Sequence, residues 1–260
     1  MLALLENKQF IIGQFDKVID ALAKKLTKKE NSQIILACSL HELAIKNEKS
    51  HAKFYQNIDY CTTDSMLITK YFQKKYQEKI DRVYGPDLML AVFTKQQKNK
   101  TKITHYLLCP NLITKKKISN LLRKRYPNSL ILADYLPKKI NRQQELAQYQ
   151  KIIDTKADFV WIGIGSPKQL EITNWLKDHS QGMKIFCVGA AFEFISGQKK
   201  QAPVWMQKNG LEWLFRLISE PKRLWKRYLV TVPKYLLRQL ASAINKKIKN
   251  NAKKAKTTLS

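Results

Sequence analysis

The sequence has no run of eighteen apolar residues, so nothing in it reads as a membrane-spanning helix. Its most apolar stretch, Ile185–Ile195, is short and carries Glu193. The start is unlike a secretory leader, because Glu6, Lys8 and Asp16 sit in or beside its apolar positions. Together these predict a globular protein on the cytosolic side of a membrane. Cysteine is scarce: Cys38, Cys61, Cys109 and Cys187 form no C-x-x-C pair, and each lies in or beside an apolar run. Buried thiols are expected rather than disulfides or zinc ligands. His41, His51, His105 and His179 show no ligand spacing, and there is no G-x-S-x-G elbow or P-loop lysine motif. Nucleophilic and metal-dependent chemistry are left without support.

Acid is also in short supply. Twenty Asp and Glu face 48 Lys and Arg, a net charge of +28. Residues 221–260 hold twelve of those cations and no acid. Such a surplus implies a polyanionic neighbour: nucleic acid, an acidic membrane surface or a phosphate-rich substrate.

What is present is core material. With 260 residues and 44% hydrophobic content, the chain supports one large domain, or a domain plus an appendage. Short Ile-, Val-, Leu- and aromatic-rich runs predict strands at Gln33–Cys38, Thr104–Cys109, Ser129–Ala133, Asp158–Ile164 and Lys184–Gly189. Helical periodicity fills 41–57, 66–79, 86–96, 115–126 (with Thr114 as its cap), 142–155 and 167–179. This alternation predicts an α/β fold with a parallel sheet flanked by helices, whose ligands bind beyond the carboxyl ends of the strands. From about residue 201 strands cease. Helices are expected over Met206–Ser219 and from Pro221 to about Lys247, kinked or restarted at Pro233. The second places Leu224, Trp225, Tyr228, Leu229 and Val232 on one face, with Lys222, Arg223, Lys226 and Arg227 around them. The division is therefore a core over 1–200, an appendage over 201–245 and a basic, disordered tail over 246–260.

The stretch Ile162-Gly-Ile-Gly-Ser-Pro-Lys-Gln169 runs a buried strand into two glycines. Ser166 and Pro167 then fit the N-cap and first position of a helix whose opening turn holds Lys168 and Gln169. Exposed N–H groups and the helix dipole make that turn suited to a phosphate, although a plain strand-to-helix turn has the same local pattern. Asp64 is open between a helix N-cap and a general base. Asp87, in Tyr84-Gly-Pro-Asp-Leu88, reads as a helix-start acid.

Four segments carry a resemblance: WIGIGSPKQ (161–169), VGAAFEFISG (188–197), AP-x-WM (202–206) and GLEWLFRLISEPKRLWKRY (210–228). They resemble the WecG/TagA/CpsF family of bacterial glycosyltransferases (glycosyltransferase family 26), with weaker matches at YGPDL and around Asp64. The resemblance implies a Rossmann-like core and a helical, membrane-binding appendage that completes the active site. It implies metal-independent, inverting transfer of an N-acetylmannosamine-type sugar from a UDP donor to a polyprenyl-diphosphate-linked acceptor, with no cofactor. It also implies a peripheral place on the cytoplasmic face of the inner membrane, against its anionic surface. Asp64 falls on the family's proposed base and Gln169 on its pocket glutamine. Arg216, Arg223 and either Lys226 or Arg227 fall on basic residues facing the donor diphosphate. Gly163, Gly165, Ser166 and Lys168 accompany them, and Ser39, Gly189 and Glu193 belong to the pocket. Leu224, Trp225, Tyr228, Leu229 and Val232 would meet the membrane, or a second copy of the chain.

The pattern departs from the family at several places. Ala37-Cys-Ser39 replaces a Thr-x-Asn, Asp64-Ser65 an Asp-Gly, Cys109-Pro110 a Gly-Gly, and Phe192-Glu-Phe194 an F-D-F; Leu170 stands where the family has glutamate. Two other functional classes compete. One is a nucleic-acid-binding protein, supported by charge alone and opposed by the absence of any strand motif with RNA-binding aromatics. The other is a catalytically impaired homologue serving as a partner subunit.

Overall fold

Phe159, Val160, Trp161 and Ile162 are all fully buried, as a strand covered on both faces requires. In the computed structural model, which describes residues 1–46, 52–98, 102–137 and 139–258 (side chains to 245), they form an interior strand of a mostly parallel sheet in an α/β fold. The chain runs β1 (Leu2–Leu5), β2 (Lys8–Ile11), α1 (Phe15–Ala23), β3 (Gln33–Cys38), α2 (Leu40–Ile45), α3 (Ala52–Gln56), β4 (Tyr60–Thr63), α4 (Met66–Tyr76) and α5 (Gly85–Lys98). It continues with β5 (Thr104–Cys109), α6 (Leu112–Arg125), β6 (Leu130–Tyr135), α7 (Arg142–Asp154), β7 (Phe159–Ile162), α8 (Lys168–His179), β8 (Lys184–Cys187) and α9 (Ala191–Ile195). The strand order is β1-β2-β4-β3-β8-β7-β5-β6; the β1/β2 hairpin is antiparallel and the other pairs of these strands are parallel.

Alternation along each strand sends side chains to two helical layers. Phe159 and Trp161 join Phe186 and Leu107 under α1, α5, α6 and α9, whereas Val160 and Ile162 join Tyr106 and Ile185 under α7 and α8. His105 belongs to the first layer. It accepts the Trp161 Nε1–H at 3.1 Å and stacks on Phe93 at 3.8 Å, and burial pushes its pKa down to about 3. All four cysteines are buried thiols.

All five expected strands form, Gln33–Cys38 and Thr104–Cys109 with the expected ends and the others with ends shifted by up to two residues, and among the described residues three unexpected strands join them. The β1/β2 hairpin turns through Glu6 and Asn7, both at positive φ, a geometry that glutamate gives no reason to expect. β4 escapes because two of its four residues are Thr62 and Thr63. Both are buried, and their hydroxyls donate to the carbonyls of Val83 and Asp81 at 3.2 and 3.0 Å. Asp64 therefore follows a strand, not a helix. The cap of α6 is Asn111, whose side chain accepts the Thr114 N–H at 2.8 Å, rather than Thr114 itself. The helix expected over 41–57 appears as α2 and α3, with residues 47–51, and so His51, outside the described residues.

Beyond residue 201 the chain is helical: α10 (Val204–Lys208), α11 (Glu212–Ser219), α12 (Pro221–Trp225), a π-helical turn (Lys226–Thr231) and α13 (Val232–Thr258). Gly210, at φ +75°, splits the single helix expected over Met206–Ser219. Pro233 lies in the first turn of α13, directly after the π turn, where it has no N–H to continue the preceding ladder. The backbone stays helical across 246–258, the stretch whose composition predicts fraying.

Lys184 opens β8 from a buried position, donating to the carbonyls of Ala21 and Leu22 at the end of α1, 3.2 and 3.3 Å away. Burial lowers its pKa to about 8. In the unfolded chain it returns to about 10.4. Between those values the unfolded state holds a proton that the native state has released, so this group's contribution to stability rises with pH. Urea melts at pH 7.5 and 9.5 should show wild type gaining on Lys184→Met by at most about 1.4 kcal/mol per pH unit. A constant difference would remove Lys184 from the linkage.

Candidate active site

The carboxyl ends of β3, β4, β7 and β8 deliver Ser39, Asp64, Gly163–Gly165 and Gly189 to one edge of the sheet. From β3 the chain turns outward to β4, whereas β8 arrives from the other half, so a crevice opens between β3 and β8.

Asp64 does not cap α4: Ser65 takes that position, without a side-chain bond. The Asp64 carboxylate instead accepts the Gly85 N–H that opens α5, at 2.9 Å. Burial raises its pKa above the usual carboxylate range, opposed mainly by the Arg82 cation. Arg82 also donates to the Asp64 carbonyl, lies over the Tyr84 ring at 4.2 Å and pairs with Glu212 of α11 at 2.7 Å.

The C-terminal helices close a cavity of about 330 Å³ over Asp64. Arg82, Glu212, Arg216 and Arg227 form its charged wall; Met66, Leu67, Trp213, Tyr228, Val232 and Leu236 form its apolar one. Arg227 donates to Ser39 Oγ at 2.9 Å, and Arg216 lies over Phe194 at 5.3 Å. The Nε of each guanidinium is buried with no hydrogen-bond partner among the described residues. Two half-buried cations, each with a buried and uncommitted Nε–H, suit an anion.

The Gly-x-Gly turn lies across the crevice. A Cβ on Gly163 would stand 2.5 Å from the Phe192 ring, and Gly165 sits at φ +84°. Helix α8 starts at Lys168, one residue later than expected, with Pro167 as its cap. Ser166 is thereby freed from capping and donates to Glu42 at 2.9 Å. Gln169 donates to Ser166 at 3.0 Å and accepts the Gly189 N–H at 3.2 Å, with Gly189 at φ +54°.

Other expected residues lie elsewhere. Lys168 turns to α7 and pairs with Glu145 and Glu171. Glu193 pairs with Lys199 at 3.0 Å, Lys199 reaches Glu220 at 3.2 Å, and Glu220 takes both arms of the exposed Arg223. Lys226 is exposed. Of Arg216, Arg223 and the alternatives Lys226 and Arg227, Arg216 and Arg227 line the cavity. The expected membrane face divides too: Leu224 is buried, Tyr228 and Val232 line the cavity, and Trp225 and Leu229 are more than half exposed. Val204, Trp205, Ile218, Leu237, Leu240 and Ile244 add to the exposed apolar surface. The C-terminal helices contact the rest of the chain through Arg227–Ser39, Arg82–Glu212 and a Tyr235 hydroxyl on Glu6 at 2.8 Å.

Sequence reasoning missed Glu42, Arg82 and Glu212. The last two are carried by flagged segments: Arg82 stands two residues before the Tyr-Gly-Pro-Asp turn, and Glu212 lies inside GLEWLFR. Asp87 is an exposed first-turn acid of α5. Among the described residues no helix is long and apolar enough to cross a membrane, and no group of three or more His, Cys, Asp or Glu side chains is placed to hold a metal ion.

Two curated relatives share the printed name N-acetylglucosaminyldiphosphoundecaprenol N-acetyl-beta-D-mannosaminyltransferase. The protein of Bacillus subtilis (strain 168) is 32% identical over 167 residues, 64% of this chain and 62% of its own length. That of Bacillus spizizenii (strain ATCC 23059 / NRRL B-14472 / W23) is 26% identical over 171 residues, 66% of this chain and 63% of its own. The similarity thus spans somewhat under two thirds of each relative. Residues 7–249 match the family described as glycosyl transferase WecG/TagA/CpsF, and the chain belongs to that family.

Proposed function

We propose that the protein is an inverting, metal-independent glycosyltransferase. It moves an N-acetylmannosamine-type sugar from a UDP donor to a polyprenyl-diphosphate-linked acceptor for cell-envelope polysaccharide. The observation that carries this reading is a half-buried carboxylate, Asp64, in one cavity with two arginines whose Nε–H groups have no partner among the described residues. Asp64 takes the proton of the acceptor hydroxyl as that oxygen bonds to the anomeric carbon from the face opposite the leaving group. The bond from that carbon to the diphosphate breaks, and UDP departs with the electron pair. Arg216 and Arg227, with Gln169 across the crevice, meet the growing charge.

The test is product formation from a panel of UDP-sugars with a lipid-diphosphate acceptor analogue. Activity is expected to survive EDTA. Loss with EDTA and recovery with Mg²⁺ or Mn²⁺ would contradict the metal-independent assignment.

The same reading puts the protein on the cytoplasmic face of the inner membrane, as a peripheral protein. An exposed apolar patch of this extent is rare on a soluble monomer, and here it lies beside Lys222, Arg223 and Lys226. Anionic lipid satisfies both, at about 1 kcal/mol per suitably placed cation. Sedimentation with anionic liposomes should decline as salt rises and largely vanish in a truncation near residue 200. Equal sedimentation of the truncated chain would place the contact elsewhere; a salt-insensitive dimer without lipid would assign the patch to a second copy.

A further inference from the structure

We propose that Glu42 is a positioning residue of the donor site: its buried carboxylate fixes the Ser166 hydroxyl and, through it, the amide of Gln169 that faces the donor diphosphate. The proposal rests on the donor reading above.

Glu42 lies in the first turn of α2 and is buried. One of its oxygens accepts from Ser166 Oγ at 2.9 Å and the other from the Tyr55 hydroxyl of α3. An ionised carboxylate only accepts, so both hydroxyls donate to it. Ser166 Oγ is then left as an acceptor, and the Gln169 group 3.0 Å from it must be the NH₂. The Gln169 carbonyl is thereby turned to the Gly189 N–H, 3.2 Å away. With the Ser166 hydroxyl committed to Glu42, Ser166 and the Gly189 N–H demand the same direction of the amide; without the Glu42 acceptor that hydroxyl is free to donate to the Gln169 oxygen and compete with Gly189 for it. The same turn of α2 receives the appendage, because Ser39 Oγ accepts both the Glu42 N–H and Arg227. No local motif announces this role. Glu42 reads as one more acid in a short helix until β3 and β7 bring it against Ser166, 124 residues away.

UDP binding by calorimetry on the full chain is the first readout. Glu42→Ala should weaken UDP about tenfold, the worth of one hydrogen bond to a charged group, and Gln169→Ala by a similar factor. The double variant should be no worse than Gln169→Ala, because Glu42 acts only through that amide. Glu42→Gln, whose carbonyl still accepts from Ser166, should recover most of the affinity. If Glu42→Ala does not fold, Ser166→Ala interrupts the same relay and replaces it in the cycle. Hydrogen exchange at the Gly189 amide is the second readout and needs no ligand; it should speed up in Glu42→Ala as in Gln169→Ala. Additive losses in the double variant, or Gly189 exchange unmoved by Glu42→Ala, would overturn the proposal. Failure of the wild type to bind UDP would overturn the donor reading instead, and the exchange result would still decide whether Glu42 governs the amide.

Discussion

Asp64→Asn is expected to lower turnover at least about a hundredfold, while UDP affinity and the unfolding midpoint stay at or above wild type. The variant is isosteric, and its carbonyl oxygen still accepts the Gly85 N–H at the start of α5. What it loses is the ability to take a proton. Stability does not suffer, because burial raises the native pKa of Asp64. A carboxyl whose pKa is higher folded than unfolded binds more protons in the native state. Its contribution to stability is therefore fully present below the unfolded value, about 3.9, and is lost as pH rises through the native one. The asparagine variant has no such loss. Activity runs the other way, since the base must be ionised. The acid limb of the wild-type kcat/KM profile should lie above the ordinary aspartate range. It should move higher still in Arg82→Gln, because the Arg82 cation is the main influence holding the pKa down. Near-normal turnover by Asp64→Asn would remove Asp64 from the mechanism.

Arg216→Ala is expected to cost about 10²–10³ in kcat, the usual price of deleting one preorganised donor to developing negative charge. Arg216→Lys should be intermediate, since it keeps the charge but loses the planar fork and the stacking over Phe194. Arg223→Ala should remain close to wild type. Both arms of Arg223 hold Glu220 on the exposed side of the appendage, and it does not line the cavity. The contrast is informative because the motif alone treats the two arginines alike. Equal damage from Arg223→Ala and Arg216→Ala would mean that the appendage sits differently during turnover.

The parallel sheet was legible because strands covered on both faces must be apolar almost throughout, and Gln33–Cys38, Thr104–Cys109 and Phe159–Ile162 are written that way. The turn after β7 was legible because glycine permits positive φ and proline fixes φ, both local properties of the backbone. β4 was not, because its buried threonines satisfy their hydroxyls on carbonyls some twenty residues away, which no local pattern records. The hairpin was not, because a Glu-Asn turn carries no glycine.

For the site, the sequence by itself determined which residue types stand at the strand ends and that basic residues dominate the final helices. It left Asp64 open between a cap and a base. Tertiary structure decided that Asp64 turns to Gly85 rather than to its own helix, that Arg216 and Arg227 line the cavity while Arg223 and Lys226 do not, and that Lys168 faces α7. The reason is geometric. A helix presents its residues in all directions at 100° intervals, and only the surface it packs on selects which of them meet the substrate. Glu42, Arg82 and Glu212 gain their partners from segments 124 to 130 residues distant, so their roles exist only once the sheet has closed that separation.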